Sequence, residues 1–209
     1  MPDPRGDRLG RHELSRRAFL RSSTLTTAGM TMIEKALAIT AGGPATDSPG
    51  PTAAGPEPVQ VKLVINGAAR NLRLEPRMTL AEALRGPLGL TGTKIACNRG
   101  ACSACTIWLD GQPVLSCMML AIDVGARCVT TIEGLATGDT LHKVQAAFIE
   151  HDAMQCGFCT PGIVMSCAAL LEHEPHPSAE DVRAAISGHI CRCGTYPHVV
   201  AAMLAAAET

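Results

Sequence analysis

The chain is poor in aromatic side chains. Its 209 residues include one Trp, one Tyr and three Phe, too few to build the stacking platform on which single-stranded nucleic acids bind. It also lacks an excess of either charge: 18 Lys and Arg against 19 Asp and Glu leave a formal net charge of −1, so no basic field exists to hold a phosphate backbone. No apolar run reaches the roughly 18 residues that a membrane-spanning helix needs. No Ser/His/Asp set and no paired carboxylates stand out, so no catalytic residue is assigned. These absences exclude nucleic acid and a membrane span. What is present is enough apolar sequence for one ordinary domain or two small ones, and ten cysteines, far more than packing requires.

Eight of the ten fall into two tight sets. The first lies in Gly92 to Cys117, GTKIACNRGACSACTIWLDGQPVLSC, where Cys97, Cys102, Cys105 and Cys117 follow the order C-x4-C-x2-C-x11-C. The first three spacings are those of a plant-type [2Fe-2S] loop. Three thiolates from one loop need a backbone that folds inward, which Gly100 permits at positive φ, and small residues such as Ala101, Ser103 and Ala104 let amides approach the sulfurs. After Cys105 an alternating run meets Asp110-Gly111, the signal of a hairpin that returns Cys117 to the loop. Zinc would more naturally use two CxxC pairs. Three cysteines within nine residues would make strained local disulfides.

The remaining chain divides by composition. Residues 1–21 contain six arginines and end in Ser15-Arg16-Arg17-Ala18-Phe19-Leu20-Arg21, which resembles the twin-arginine export motif. A weakly apolar stretch and Ala36-Leu37-Ala38 follow, so residues 1–38 read as a leader, with an Arg-rich disordered tail or a nucleic-acid arm as the rival reading. Residues 39–58, rich in Pro, Gly and Ala, read as a linker. Alternation at Val61, Leu63 and Ile65, the Asn66-Gly67 turn, a capping box at Thr79 to Glu82 and the later hairpin make residues 59–135 an α+β domain of the β-grasp type. Beyond Gly138 the apolar period changes to about 3.6, so residues 136–209 are expected to be all-α, with helices near 141–151, 160–172, 178 onward and 197 onward. The Thr160-Pro161 pair is read as cap and first helical position. Cys128 and Cys167 are expected to be small buried apolar residues.

The second cysteine set sits at the helix junctions, in Gln155-Cys156-Gly157-Phe158-Cys159-Thr160-Pro161-Gly162 and Gly188-His189-Ile190-Cys191-Arg192-Cys193-Gly194. A four-helix packing with both turns at one end would bring Cys156, Cys159, Cys191 and Cys193 to one centre. Spacing alone allows tetrahedral zinc; the plant-type loop in the same chain tips the choice toward a second [2Fe-2S] cluster.

Over residues 59 to about 205, QCGFCTPG and CRCGTYP resemble the small iron-sulfur subunits of the molybdenum hydroxylases, the group of xanthine dehydrogenases and aldehyde oxidoreductases. The resemblance implies a plant-type ferredoxin domain followed by a helical domain, each with one [2Fe-2S] cluster. It assigns a distal cluster to Cys97, Cys102, Cys105 and Cys117, and a proximal one to Cys156, Cys159, Cys191 and Cys193. It also puts Gln155 and Cys193 against the molybdopterin of a large subunit, with a FAD subunit or a cytochrome as electron acceptor. The sequence departs from the family pattern at Ala96 and Ser103, where Gly is usual, and at His189, where Asn is usual. A cluster-bearing chain is safest exported folded, because free thiols pair in an oxidising space. A periplasmic location is therefore expected, with the cytoplasm as the alternative. The functional expectation is an electron-transfer subunit. A free two-cluster carrier and an exported zinc or disulfide module are the rivals.

Overall fold

The computed structural model describes residues 55–208. The leader and most of the linker expected from the sequence lie outside the described residues.

The first half is a five-stranded mixed sheet clasping one helix. Strands β1 (Val59–Ile65) and β2 (Ala68–Leu74) form an antiparallel hairpin. Its turn holds Asn66 at φ 50° and Gly67 at φ 77°, left-handed values that match the twist of a two-residue hairpin turn. The second hairpin joins β3 (Thr106–Leu109) to β4 (Gln112–Leu115) through Asp110 and Gly111 in the same conformation. Strand β5 (Cys128–Thr130) runs between the hairpins, parallel to β1 and antiparallel to β3, giving the order β2-β1-β5-β3-β4. Leu63, Ile65, Leu74, Ile107 and Val129 point to one face and bury against Leu80 and Leu84 of helix α1 (Leu80–Arg85). That helix starts at the expected capping box: Thr79 Oγ1 accepts the Glu82 N–H, and Glu82 Oε2 accepts the Thr79 N–H at 2.9 Å.

The second half is helical: α2 (Lys143–Glu150), α3 (Thr160–His173), α4 (Ala179–Ala185) and α5 (Tyr196–Glu208). Phe148, Ile163, Cys167, Val182, Ile186, Val199 and Met203 form their common core. A mixed sheet followed by helices is the architecture that the two hydrophobic periods imply. Two helix starts differ from expectation. Leu141 lies outside α2 and is 46% exposed, because His142 takes the cap position. Cys159, not Thr160, caps α3, with Thr160 its first residue.

Cys167 is fully buried on α3, but Cys128 is exposed. On a three-residue strand the alternation puts Val129 inward and turns its neighbour outward, and the Cys128 backbone is held there by Asp110, whose Oδ1 accepts its N–H at 2.8 Å. The expectation of a buried Cys128 therefore fails on register, not on residue type.

Sheet and helices are joined by Trp108 of β3. Its half-buried ring packs on the helical core and its indole N–H donates to Met165 O at 2.8 Å, which satisfies the one polar group that the indole brings.

At the start of α2 the His142 Nδ1 accepts the Val144 N–H at 3.3 Å, and Gln145 Oε1 accepts the His142 N–H at 3.0 Å. Burial of the ring lowers its pKa below the ordinary histidine value, outweighing the Glu172 carboxylate. The unfolded chain therefore binds this proton more readily, so the cap's contribution is complete above the ordinary value of about 6.5 and is lost as pH falls through and below it. Replacing His142 with Ser keeps a capping oxygen that does not titrate. The His142→Ser variant should lose less melting temperature than wild type between about pH 8 and about pH 6; equal losses in thermal melts would contradict this role.

Candidate metal centres

The first cysteine set is built by a loop that folds inward through left-handed turns. Asn98, Gly100 and Ser103 have φ of 49°, 73° and 57°, and the Ala101 N–H points at Cys97 Sγ at 3.3 Å. Cys97 is half-buried; Cys102, Cys105 and Cys117 are buried. Cys117 is returned by the β3–β4 hairpin, where Ser116 N–H and Oγ both donate to Cys105 O, at 3.3 and 2.7 Å. The thiols meet in twos, Cys97 beside Cys102 and Cys105 beside Cys117. Amides of Arg99 and Ala101, with the Cys102 thiol, lower the Cys97 pKa to about 7. Burial pushes Cys105 up to about 11.

The second set lies at the helix junctions and also meets in twos, Cys156 beside Cys193 and Cys159 beside Cys191. The backbone at Phe158 and the Cys193 thiol lower the Cys156 pKa. Burial, with Cys191 beside it, raises Cys159 to about 12. Burial opposes ionisation of Cys191 as well, yet contacts from the Thr195 hydroxyl and backbone and from Cys159 bring it to about 7. The Cys191 sulfur is 3.4 Å from Thr195 Oγ1. Cys156 and Gln155 are exposed, whereas Cys159, Cys191 and Cys193 are half-buried.

All ten thiols are free. Among the described residues no three His, Cys, Asp or Glu side chains converge on a single ion position. Four thiols in two pairs, ringed by amides, form a donor set that fits a two-iron centre, which spreads four protein thiolates over two metal atoms. Each of the two sets has this character.

Polar contacts around the second set escaped sequence reasoning. Tyr196 OH donates to His189 O at 2.9 Å and accepts the Cys191 N–H at 2.8 Å; its place in CRCGTYP was the available signal. His189 is buried, its Nε2 is 2.8 Å from Ser166 Oγ, and its Nδ1 has no hydrogen-bond partner. Burial takes its pKa down to about 4, so the ring is neutral. His173 and His176 are exposed and gather no metal-binding set among the described residues.

The two sets face each other across the sheet–helix boundary. Ile190 N–H donates to Cys102 O at 3.2 Å. Gly162, on the first turn of α3, lies so close to the Ser103 and Ala104 carbonyls that no side chain fits between them.

Residues 63–133 match a 2Fe-2S iron-sulfur cluster binding domain, and residues 131–204 match a further [2Fe-2S] binding domain. The chain is thus an iron-sulfur protein of the electron-transfer class, with one cluster-binding domain in the sheet half and one in the helical half. It is 37% identical to the aldehyde oxidoreductase iron-sulfur-binding subunit PaoA of Escherichia coli (strain K12), over 96% of this chain and 93% of that one. Its fold is similar to quinoline 2-oxidoreductase from Pseudomonas putida 86, with a TM-score of 0.71 and 43% identity over 73% of this chain and 95% of that chain. It is also similar to the aldehyde oxidoreductase of Desulfovibrio desulfuricans ATCC 27774, with a TM-score of 0.68 and 44% identity, covering 71% of this chain but 17% of that one. The chain belongs to the family of [2Fe-2S] iron-sulfur subunits of the molybdenum hydroxylases, the electron-transfer members of those oxidoreductase complexes.

Gly162 gives a test of the boundary. On helix propensity alone Ala would be better than Gly by about 1 kcal/mol. The added Cβ, however, would meet backbone carbonyls and not a flexible side chain, so overpacking should win and Gly162→Ala should cost about 1–3 kcal/mol. A melting temperature equal to or above wild type would contradict the close approach.

Proposed function

We propose that the eight paired cysteines are the ligands of two [2Fe-2S] clusters and that the chain serves a molybdenum-dependent aldehyde oxidoreductase. The observation that carries this reading is the pairing itself. Cys97 with Cys102 and Cys105 with Cys117 would each serve one iron of a distal centre; Cys156 with Cys193 and Cys159 with Cys191 would do so in a proximal one, held in the family's four-helix domain. Such a cluster supplies reversible one-electron storage.

The chain's residues do the rest. Cys97 and Cys191 ionise readily, while Cys105 and Cys159 give up their protons only on ligation, so loading should release protons. Amides such as Ala101 N–H stabilise sulfur charge and so tune the potential. The backbone link from Ile190 N–H to Cys102 O ties the two ligand sets together.

The partner is a large molybdopterin-binding subunit, seated on the exposed CxxC turn. Around that turn Leu141, Ile149, Met154 and Phe158 are 46%, 60%, 39% and 48% exposed, an apolar surface that a single soluble chain would rarely display without a partner. Gln155 and Cys193 then face the pterin, as the family resemblance implies. The matching region being only 17% of the D. desulfuricans chain supports a unit that works beside much larger machinery. It weighs against a free carrier. A FAD subunit or a cytochrome would accept electrons on the distal side. The aldehyde assignment, in preference to an N-heterocycle, rests on PaoA: a match over 96% of the chain must extend ahead of the cluster domains, into the segment carrying Arg16 and Arg17. That segment, read as a twin-arginine leader, would send the folded protein to the periplasm.

A tag on this chain should bring down, under gentle anaerobic conditions, a larger subunit containing molybdenum. Gln155→Ala should keep both clusters yet slow their reduction by aldehyde, losing a contact worth about 1–3 kcal/mol. A chain recovered alone, or with partners lacking molybdenum, would restore the free carrier. Changing Arg16 and Arg17 to Lys should leave coloured protein in the cytoplasm; normal arrival in the periplasm would remove the twin-arginine route.

A further inference from the structure

The boundary between the two ligand sets carries polar contacts that thiolate ligation does not itself require. Ser103 holds φ 57°, a conformation that costs any residue with a Cβ and persists only where neighbours hold it. Its hydroxyl donates to Gly188 O at 3.0 Å. One residue earlier, Cys102 O accepts the Ile190 N–H at 3.2 Å. Residues 102–103 and 188–190 therefore meet in a two-bond ladder. Gly188 keeps it close, since a Cβ there would stand 3.2 Å from the Ser103 hydroxyl.

The 188–191 segment has further anchors, on α3 and α5. The His189 ring reaches Ser166 on α3 at 2.8 Å, the His189 backbone N–H donates to Ile186 O at 2.9 Å, and the His189 carbonyl accepts from Tyr196 OH. The same ring leaves Nδ1 buried and unpartnered, a destabilising feature.

We infer that Ser103 and His189 are positioning residues that clamp the Cys102 turn to the Cys191 turn, Ser103 through Gly188 and His189 through Ser166, and so fix the hydrogen bond from Ile190 N–H to Cys102 O. The inference rests on the reading that these cysteines hold the two clusters. The fixed bond is at the long end of the ordinary range, so a small loss of clamping is enough to open it. Ser103 has a direct effect because its bond lies next to the one it protects. His189 acts by holding its segment to α3, the helix whose Gly162 packs on the Ser103 and Ala104 carbonyls.

The test uses the cluster-loaded complex and two readouts besides activity: hydrogen–deuterium exchange of the peptide spanning residues 186–192, and the magnetic splitting between the two reduced centres in electron paramagnetic resonance. Ser103→Ala and Ser103→Gly both remove the hydroxyl, and only the second relieves the left-handed backbone. Both should speed exchange about tenfold, the effect of one lost hydrogen bond, and alter the splitting at unchanged iron content. His189→Gln, which keeps a group able to reach Ser166, should do less than His189→Ala. Exchange and splitting unchanged in Ser103→Gly would overturn the clamp, and so would an effect seen in Ser103→Ala alone, which would trace to backbone strain. A wild-type complex without two paramagnetic centres would defeat the cluster reading while exchange still decides the clamp.

Discussion

A buried thiol resists becoming a thiolate, and this conflict governs the molecule. Burial drives Cys105 to about 11 and Cys159 to about 12, yet thiolates are what iron binds. Each is beside a second thiol, and each set also contains a member eased to about 7 by amides or a hydroxyl, Cys97 in one and Cys191 in the other. Desolvation dominates where a cluster would be shielded, and hydrogen bonding dominates at the rim. Small residues, Gly100, Ala101, Ser103 and Ala104, line the first loop because amides can approach sulfur only where side chains do not intervene.

Two kinds of secondary structure solve the same problem. In the sheet half, left-handed turns at Asn98, Gly100 and Ser103 gather three thiols from one loop, and a hairpin brings the fourth. In the helical half, the four come from two junctions, with Cys159 capping α3 and Tyr196 at the start of α5 tying down the Cys191 turn. The halves meet where Gly162 admits the Ser103 and Ala104 carbonyls and where the Trp108 indole bonds to Met165. Electron transfer favours such rigidity, because a fixed separation between centres does not have to be found anew each time.

Much of this was legible in the sequence. The change of apolar period from two to about 3.6 separates the sheet from the helices, and the turn dipeptides Asn66-Gly67 and Asp110-Gly111 mark the hairpins. The capping box at Thr79 and the start expected at Ser178 both mark helix starts. The cysteine spacing located both candidate centres because ligand chemistry is strict about reach. Contacts whose partners are distant in sequence were not legible. Nothing local says that Ser103 bonds to Gly188, that His189 meets Ser166 or that the Trp108 indole finds Met165. Cys128 was misread because a three-residue strand is too short for alternation to declare which face is buried.

The central claim is that eight thiols hold two two-iron centres and not two single metal ions. Mössbauer spectroscopy of iron-57-labelled complex, with metal and acid-labile sulfide analysis of the same sample, tests it most directly. The account predicts sulfide equal to iron, no zinc, and on reduction two components of equal area, each with one ferrous and one ferric site. Iron without sulfide, zinc at either set, or a single component accounting for all the iron would contradict it.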